Sequence, residues 1–435
     1  MSTRATVRLW GTEIGYVSLA DNEQVAAFEY DRDFLNSGIE LAPVRMPLSS
    51  QVYRFPELSS QSFQGLPGLL ADSLPDKFGN AIIDTWLATM GRKPESFNAV
   101  ERLCYIGTRG MGALEYKPAM SQGRPAKTEI HVGQLVELAS EILTHRTSLD
   151  TVFADRKDDR AVRDILRVGT SAGGARAKAL IAWNPKTHQI RSGQAPAGVG
   201  FEYWLMKFDG VSNNRDRELA DPMGFGAIEY AYSRMARDAG VNMMPCRLFE
   251  EGRRRHFMIK RFDRTEEGGK LHMQSLAALA HYDFNLAGAY GYEQAIMVMR
   301  ELGLGPEAIE QQYRRMVFNI VARNQDDHVK NIAFLMDREG RWSLSPAYDV
   351  TWSYNPTGDW TSVHQMTLNG KRDGFNSTDF EACAEVALLK QGEAKRIVRD
   401  VQDVVSRWRD YADAVKVHAE QRDRIQDTLR LESFW

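Results

Sequence analysis

Cysteine is scarce in this chain. Its three cysteines, Cys104, Cys246 and Cys383, stand far apart, with no Cys-x-x-Cys pair and no Cys/His cluster. That spacing excludes a disulfide framework and a structural zinc site, and it fits a reducing compartment. Long apolar runs are missing as well. No stretch reaches the roughly 18 residues that mark a membrane-spanning helix. The opening "MSTRATVRLW" has no apolar leader core. A cytoplasmic protein without a membrane partner is the expectation. Excess charge of either sign is also absent: the formal net charge is −3, so the overall balance demands neither a nucleic acid nor an anionic membrane. The triplet Arg253 to Arg255 is a local exception and reads as a solvated hairpin tip between two strand-like runs. There is no internal repeat and no low-complexity tract.

What is present is an ordinary globular composition, 43% hydrophobic and 26% charged over 435 residues, enough for two or three domains with sizeable cores. The start, "ATVRLWGTEIGYVSLADNEQVAAFEY", alternates apolar and polar residues between turn signals and predicts three strands. "DKFGNAIIDTWLATMG" predicts a helix, and "VGQLVELASEILTH" another. Between them "MSQGRPAKTE" reads as a linker, and "ADRKDDR", which follows the second, as a solvated loop. From about Ile165 to Phe262, "AKALIAW", "YWLMKF", "CRLF" and "HFMIKRF" predict a sheet of at least four strands, interrupted by the helix "FGAIEYAYSRMARDAG". Beyond residue 275 the pattern is mostly helical. Its longest run, "EAKRIVRDVQDVVSRWRDYADAV", places Ile397, Val401, Val404, Trp408 and Ala412 on one core-facing stripe. The boundaries that follow are an α/β module at 1–120, a strand-rich nucleotide-binding lobe at 130–270 and a helical lobe at 271–435.

The chemistry concentrates in "NQDDHVKN", Asn324 to Asn331, after a helix and before the strand-like "IAFLM". Asp326 and Asn331 have the Asp-x4-Asn spacing of a kinase catalytic loop, in which the aspartate takes the proton of the attacking hydroxyl and the asparagine holds a metal ion. Asp327 has the wrong spacing. "WSLSPAYDVTWS" then places Asp349 where a hairpin brings it to Asn331, and two such oxygen donors suit Mg²⁺ completed by phosphate and water. The residues around both motifs depart from protein-kinase patterns: Asn-Gln-Asp replaces His-Arg-Asp, and Asp-Val-Thr replaces Asp-Phe-Gly. Asp-x-His-x-x-Asn is closer to lipid and aminoglycoside kinases. Upstream, "VGTSAGGARAKALI" offers small residues for a phosphate cradle, although no Walker A pattern fits it. Lys207 in "YWLMKF" is the expected phosphate lysine, Glu229 in the next helix its expected ion-pair partner, and "HFMIKRFDR" the expected adenine hinge. The order of these signals, more than any one of them, points to ATP-dependent phosphoryl transfer.

In these motifs the chain resembles the HipA family of bacterial toxin kinases from type II toxin–antitoxin systems. "FQGLPGLLADSLPDKFGN" and "YIGTRGMGALEY" resemble its N-terminal domain; "TSAGGARAKA", "IKRFDR", "NQDDHVKN" and "SPAYDV" follow its kinase core in order. The resemblance implies an α+β protein: an N-terminal α/β subdomain, an all-α C-terminal subdomain and a lipid-kinase-style catalytic core between them. It implies Asp326 as catalytic residue, Asn331 and Asp349 as Mg²⁺ ligands, and ATP contacts from Gly173, Gly174, Ala175, Arg176, Ala177, Lys178 and Lys207. Lys260, Arg261 and Phe262 would form the hinge, with His328, Lys330 and Tyr348 beside the nucleotide. Ser171 aligns with the autophosphorylated serine that silences family members, Thr170 being the adjacent alternative. The family phosphorylates protein substrates, an aminoacyl-tRNA synthetase among them, and is implicated in persistence. A small HipB-like helix-turn-helix antitoxin neutralises it and carries it to operator DNA as a co-repressor. A small-molecule kinase and an inactive co-repressor scaffold are the competing readings. The first predicts no phosphoserine on the protein; intact Asp326, Asn331, Asp349 and Lys207 argue against the second.

Overall fold

Strict alternation at the start of the chain produces strands β1 (Ser2–Leu9), β2 (Thr12–Ala20) and β3 (Ala27–Tyr30), which β4 (Leu114–Lys117) joins in an antiparallel sheet of order β3-β2-β1-β4. The computed structural model describes residues 2–120, 129–144, 160–169, 176–194, 196–211 and 223–435. The β1–β2 turn is Trp10-Gly11, both at positive φ (49° and 88°), as a two-residue hairpin demands. A tryptophan is a costly occupant of that region, and its indole N–H is held by the Lys270 carbonyl at 2.7 Å. The inward residues Ala5, Val7, Leu9 and Val17 are buried.

The chain forms two compact units. The first comprises 1–38, 48–226 and 245–273; the second comprises 39–47, 227–244 and 274–435. In the first, a further antiparallel sheet runs β6-β5-β7-β9-β8, from β5 (Lys178–Trp183), β6 (Ile190–Ser192), β7 (Glu202–Lys207), β8 (Cys246–Glu251) and β9 (Arg254–Lys260). These are the four expected strands plus the short β6. Every residue of β5 is buried, which explains its continuous apolar run. Its core is shared with the helices Lys77–Thr89, Val132–Thr144 and Arg160–Val168: Phe78, Ile82, Leu135, Ile142, Ile165, Ile181, Trp204 and Met206 form one buried cluster. The β8–β9 turn falls at Gly252-Arg253, so of the arginine triplet only Arg253 lies at the tip, while Arg254 and Arg255 begin β9. The expected linker at 121–128 and loop at 154–159 lie outside the described residues.

The second unit is mainly helical. The helix Pro306–Val321 starts with proline at its first position, where the missing N–H costs nothing, and buries Ile309, Tyr313, Met316, Val317 and Ile320 on one face. β11 (Ala333–Met336) and β12 (Trp342–Leu344) form an antiparallel hairpin in a small sheet ordered β10-β11-β12, with β10 at His272–Ser275. One expectation needs correcting. The long C-terminal stripe is two helices, Glu393–Val405 and Trp408–Ala414. Ser406 donates its hydroxyl to the Asp403 carbonyl at 2.8 Å, a local bond that competes with helix continuation, and Trp408 Nε1–H is held by the Arg422 carbonyl at 2.9 Å. The stripe residues remain buried because the second helix resumes in phase.

Candidate active site

The helix Pro306–Val321 ends where Arg323 takes φ 56° and the Asn324 N–H returns to the Asn319 carbonyl at 2.9 Å. The chain emerges into "NQDDHVKN" and is pinned at once: Gln325 N–H donates to the Ser353 carbonyl (3.1 Å) and Ser353 N–H to the Arg323 carbonyl (3.0 Å). Ser353 follows Asp349 closely, so this pairing ties the two acidic motifs together.

The adjacent aspartates occupy opposite environments. The Asp326 side chain is 43% exposed, and its Oδ1 accepts the Trp360 indole N–H at 2.7 Å. His328 Nε2 lies 3.9 Å from the same oxygen. The Asp327 side chain is sealed, at 1% exposure. Its Oδ2 accepts the Tyr292 hydroxyl (2.6 Å) and meets His364 Nδ1 (2.8 Å), and its Oδ1 accepts the Gln365 N–H (2.7 Å). Burial pushes the Asp327 carboxyl upward, but the His364 charge and these donors outweigh it and hold it below the usual carboxylate range. His364 Nε2 in turn meets Arg430 at 2.9 Å. Asp327 is therefore the buried anchor of the loop.

Asn331 donates its amide N–H to the Asp326 carbonyl at 2.8 Å, so the amide oxygen is what it has left to offer. The hairpin β11–β12 returns the chain to Tyr348, whose hydroxyl donates to the Lys330 carbonyl (2.7 Å), and to Asp349, a non-glycine residue at φ 52°. Asn331 and Asp349 line one cavity of about 30 Å³ together with Asn324, Asp327 and Arg315. Asn324 Oδ1 is buried without a hydrogen-bond partner. The Asp349 carboxylate and the amide oxygens of Asn331 and Asn324 form a hard-oxygen donor set that fits Mg²⁺. Among the described residues no cluster of three or more His, Cys, Asp or Glu offers an alternative metal site. Arg315, on the same cavity, is buried and turned to the Ser345 carbonyl; burial lowers its pKa to about 10, against the opposing pull of Tyr348. Lys330 Nζ lies 4.8 Å from the Phe284 ring centre, and Phe284 and Trp360 flank the His328 ring.

In the first unit, the register of β5 and β7 sets Lys178 directly opposite Lys207, both buried. Like charges so placed repel. Asp76, the N-cap residue of the helix Lys77–Thr89, offsets one of them through an ion pair to Lys178 at 3.0 Å. Lys207 Nζ lies 5.9 Å from the Phe257 ring centre, and Arg176 4.9 Å from that of Phe225. At the expected hinge, Lys260 ends β9 with its ammonium 3.7 Å from Glu202. The Lys260 and Arg261 N–H groups donate to the Pro245 and Tyr203 carbonyls, both at 2.9 Å. The Arg261 side chain is buried in a two-bond pair with Asp263 (2.9 and 2.8 Å), so its guanidinium serves the sheet end; Phe262 is half-buried. Ala177, just before β5, is buried, and in the second unit Glu229 is buried on the helix Phe225–Asp238. Thr170, Ser171, Gly173, Gly174 and Ala175 lie outside the described residues. Sequence reasoning missed Trp360, His364 and Tyr292, which belong to no quoted motif, and Asp76, which lies in "FQGLPGLLADSLPDKFGN" without a role there; all four reach these positions only through the fold.

Comparison with known proteins gives the lineage. Residues 5–117 match the HipA N-terminal domain family and residues 170–408 the HipA-like C-terminal domain family. "Putative kinase Y4dM" of Sinorhizobium fredii is 27% identical over 177 residues, 39% of this chain and 41% of that protein, so the match spans well under half of the relative. Among solved structures, HipA of the Shewanella oneidensis MR-1 toxin–antitoxin system, determined with HipB and its operator DNA, superposes with a TM-score of 0.66 at 16% identity. That superposition covers 97% of this chain and 94% of the other and shows a common fold. On the two matched domains, which together cover most of its length, this chain belongs to the HipA family.

Proposed function

We propose that this protein is an ATP-dependent serine/threonine protein kinase and the toxin of a toxin–antitoxin pair. The observation that carries the reading is the division of labour in the loop. Asp326 is solvent-facing and oriented, its neighbour Asp327 is buried as an anchor, and Asn331 and Asp349 share a cavity beside them. In the proposed reaction, the hydroxyl oxygen of the acceptor bonds to the γ-phosphorus of ATP. The bond from that phosphorus to the bridging oxygen of ADP breaks, and the hydroxyl proton passes to Asp326. Asn331 and Asp349 would hold Mg²⁺, which when bound offsets phosphate charge. Lys178 and Lys207, set side by side on buried strand positions, suit a polyanion. Residues 173–178 are assigned to the phosphates, and Lys260 to Phe262 to the base. His328, Lys330 and Tyr348 complete the nucleotide side of the loop.

The protein substrate, silencing by phosphorylation at Ser171, and a HipB-like helix-turn-helix partner that carries the complex to operator DNA belong to the same proposal. The partner is supported by the shared fold with the Shewanella HipA that was solved with HipB and DNA. The test is a transfer assay with purified protein, labelled ATP and Mg²⁺, beside Asp326→Asn and Ser171→Ala. Label on wild type alone, mapped to Ser171, is expected. No transfer to this protein or to any added protein acceptor overturns the reading.

A further inference from the structure

We propose that Trp360 is a positioning residue for Asp326, and that the segment 360–365 is the brace that holds the catalytic loop in register. This inference rests on the kinase reading. The segment touches both aspartates from one side. Trp360 donates its indole N–H to Asp326 Oδ1 at 2.7 Å, and Gln365 donates its backbone N–H to Asp327 Oδ1 at 2.7 Å. The Gln365 side-chain amide closes the ring. Its two N–H groups are shared among the carbonyls of Trp360, Val363 (3.0 Å) and Gln325 (3.2 Å), so the backbone under Trp360 is tied to the loop that carries its partner. Gln365 is buried, and His364 between the two contacts reaches Asp327 itself at 2.8 Å.

The chemical consequence follows from what an indole can do. It is a donor only, carries no charge and does not give up its proton in this pH range. It therefore fixes the carboxylate rotamer and occupies one oxygen without adding a second base or a cation. The Asp326 backbone is restrained independently by Asn331 Nδ2 on its carbonyl at 2.8 Å. With Oδ1 engaged, Oδ2 is the oxygen presented to the acceptor hydroxyl, and it receives the proton as the oxygen–phosphorus bond forms. Trp360 acts through Asp326, so its effect falls on the turnover step.

Trp360→Phe removes the N–H and keeps an aromatic ring. With wild type active, the variant is expected to lose about tenfold in kcat with KM for ATP unchanged. The same substitution in an Asp326→Asn background is expected to cost nothing further, because the group it positions is already gone. A variant that merely loosened the fold would raise KM and would harm both backgrounds alike. A second measurement reads the contact directly. In protein labelled with ¹⁵N-tryptophan, the indole cross-peak absent from Trp360→Phe is expected to move in Asp326→Asn. Full kcat in Trp360→Phe, an equal loss in both backgrounds, or an indole signal indifferent to Asp326 overturns the positioning role alone. A wild type that transfers no phosphate overturns the kinase reading, and the positioning role with it.

Discussion

Asp326 and Asp327 are consecutive residues with opposite surroundings: one carboxylate is 43% exposed and held by a single indole N–H, the other is 1% exposed and held by a tyrosine, a histidine and a backbone amide. A single peptide bond thus separates the solvent-facing carboxylate from the one that fixes the loop. The buried one cannot exchange protons with a substrate without breaking its own network. The exposed one depends on that network for its place.

Substitutions should separate the two roles. Asp326→Asn is expected to keep the denaturation midpoint of wild type, since little burial is disturbed, and to lower phosphate transfer by about 10²–10⁴-fold. Asp327→Ala strands the Tyr292 hydroxyl and His364 in the interior and is expected to cost about 3–5 kcal/mol. Chemical denaturation of the two variants measures this. Equal midpoints would refute the assignment of Asp327 as the anchor.

The pair Lys178–Asp76 gives a second contrast. Both side chains are nearly sealed, at 2% and 6% exposure, and 3.0 Å apart. Removing one partner of such a pair leaves an uncompensated buried charge, so Asp76→Ala is expected to destabilise by about 3–5 kcal/mol. Lys178→Met combined with Asp76→Leu is expected to recover most of that loss, since apolar replacement of both partners of a buried pair is often neutral. A double variant no more stable than Asp76→Ala would mean the pair contributes nothing through its charges.

Much of the fold was legible because apolar period marks whether an element has one face or two to bury. Alternation located β1 to β3, and the continuous apolar run of β5 fits a strand buried along its whole length. The same signal misled at Ser406: the stripe from Ile397 to Ala412 stays in phase through a break made by a hydroxyl bond and a tryptophan anchor, neither of which alters periodicity. At the site, spacing drew attention to "NQDDHVKN" but carried nothing of its surroundings. Trp360, Tyr292 and His364 lie 34 or more residues from their aspartate partners along the chain, and Asp76 lies far upstream of Lys178. Such partners are invisible to local reading because only the tertiary fold brings them together.

Gly193 offers a steric test of the strand order. A Cβ there would stand 2.5 Å from the backbone carbonyl of Ile181, and Gly193 O accepts from Arg261 at 3.2 Å. Gly193→Ala must push β5 or break the contact with the buried arginine, and it is expected to cost about 1–3 kcal/mol. A thermal-shift series with Gly305→Ala as the comparison isolates the steric part, since neither glycine sits at positive φ and Gly305 has nothing within 4 Å of its Cβ position. A loss at Gly193 no greater than at Gly305 would show that β5 has room the register does not allow.

His281 contributes to the acid side of stability. Burial, reinforced by the positive charge of Arg45, lowers its pKa from 6.5 to about 4. The unfolded imidazole begins to take up a proton near pH 6.5, and the folded one only near pH 4, so between those values the unfolded state binds more protons. This group's contribution is therefore fully present above about pH 6.5 and declines as pH falls toward 4, by about 3 kcal/mol at most. His281 also closes the helix Leu276–Ala280 in the left-handed region at φ 58°, where most substitutions are strained. Asparagine tolerates that conformation and does not titrate. His281→Asn is therefore expected to keep the helix end while flattening the stability–pH curve between pH 6.5 and 4. Denaturant midpoints of the two proteins at half-unit steps measure the difference. Parallel curves across that window would place the acid sensitivity in other groups.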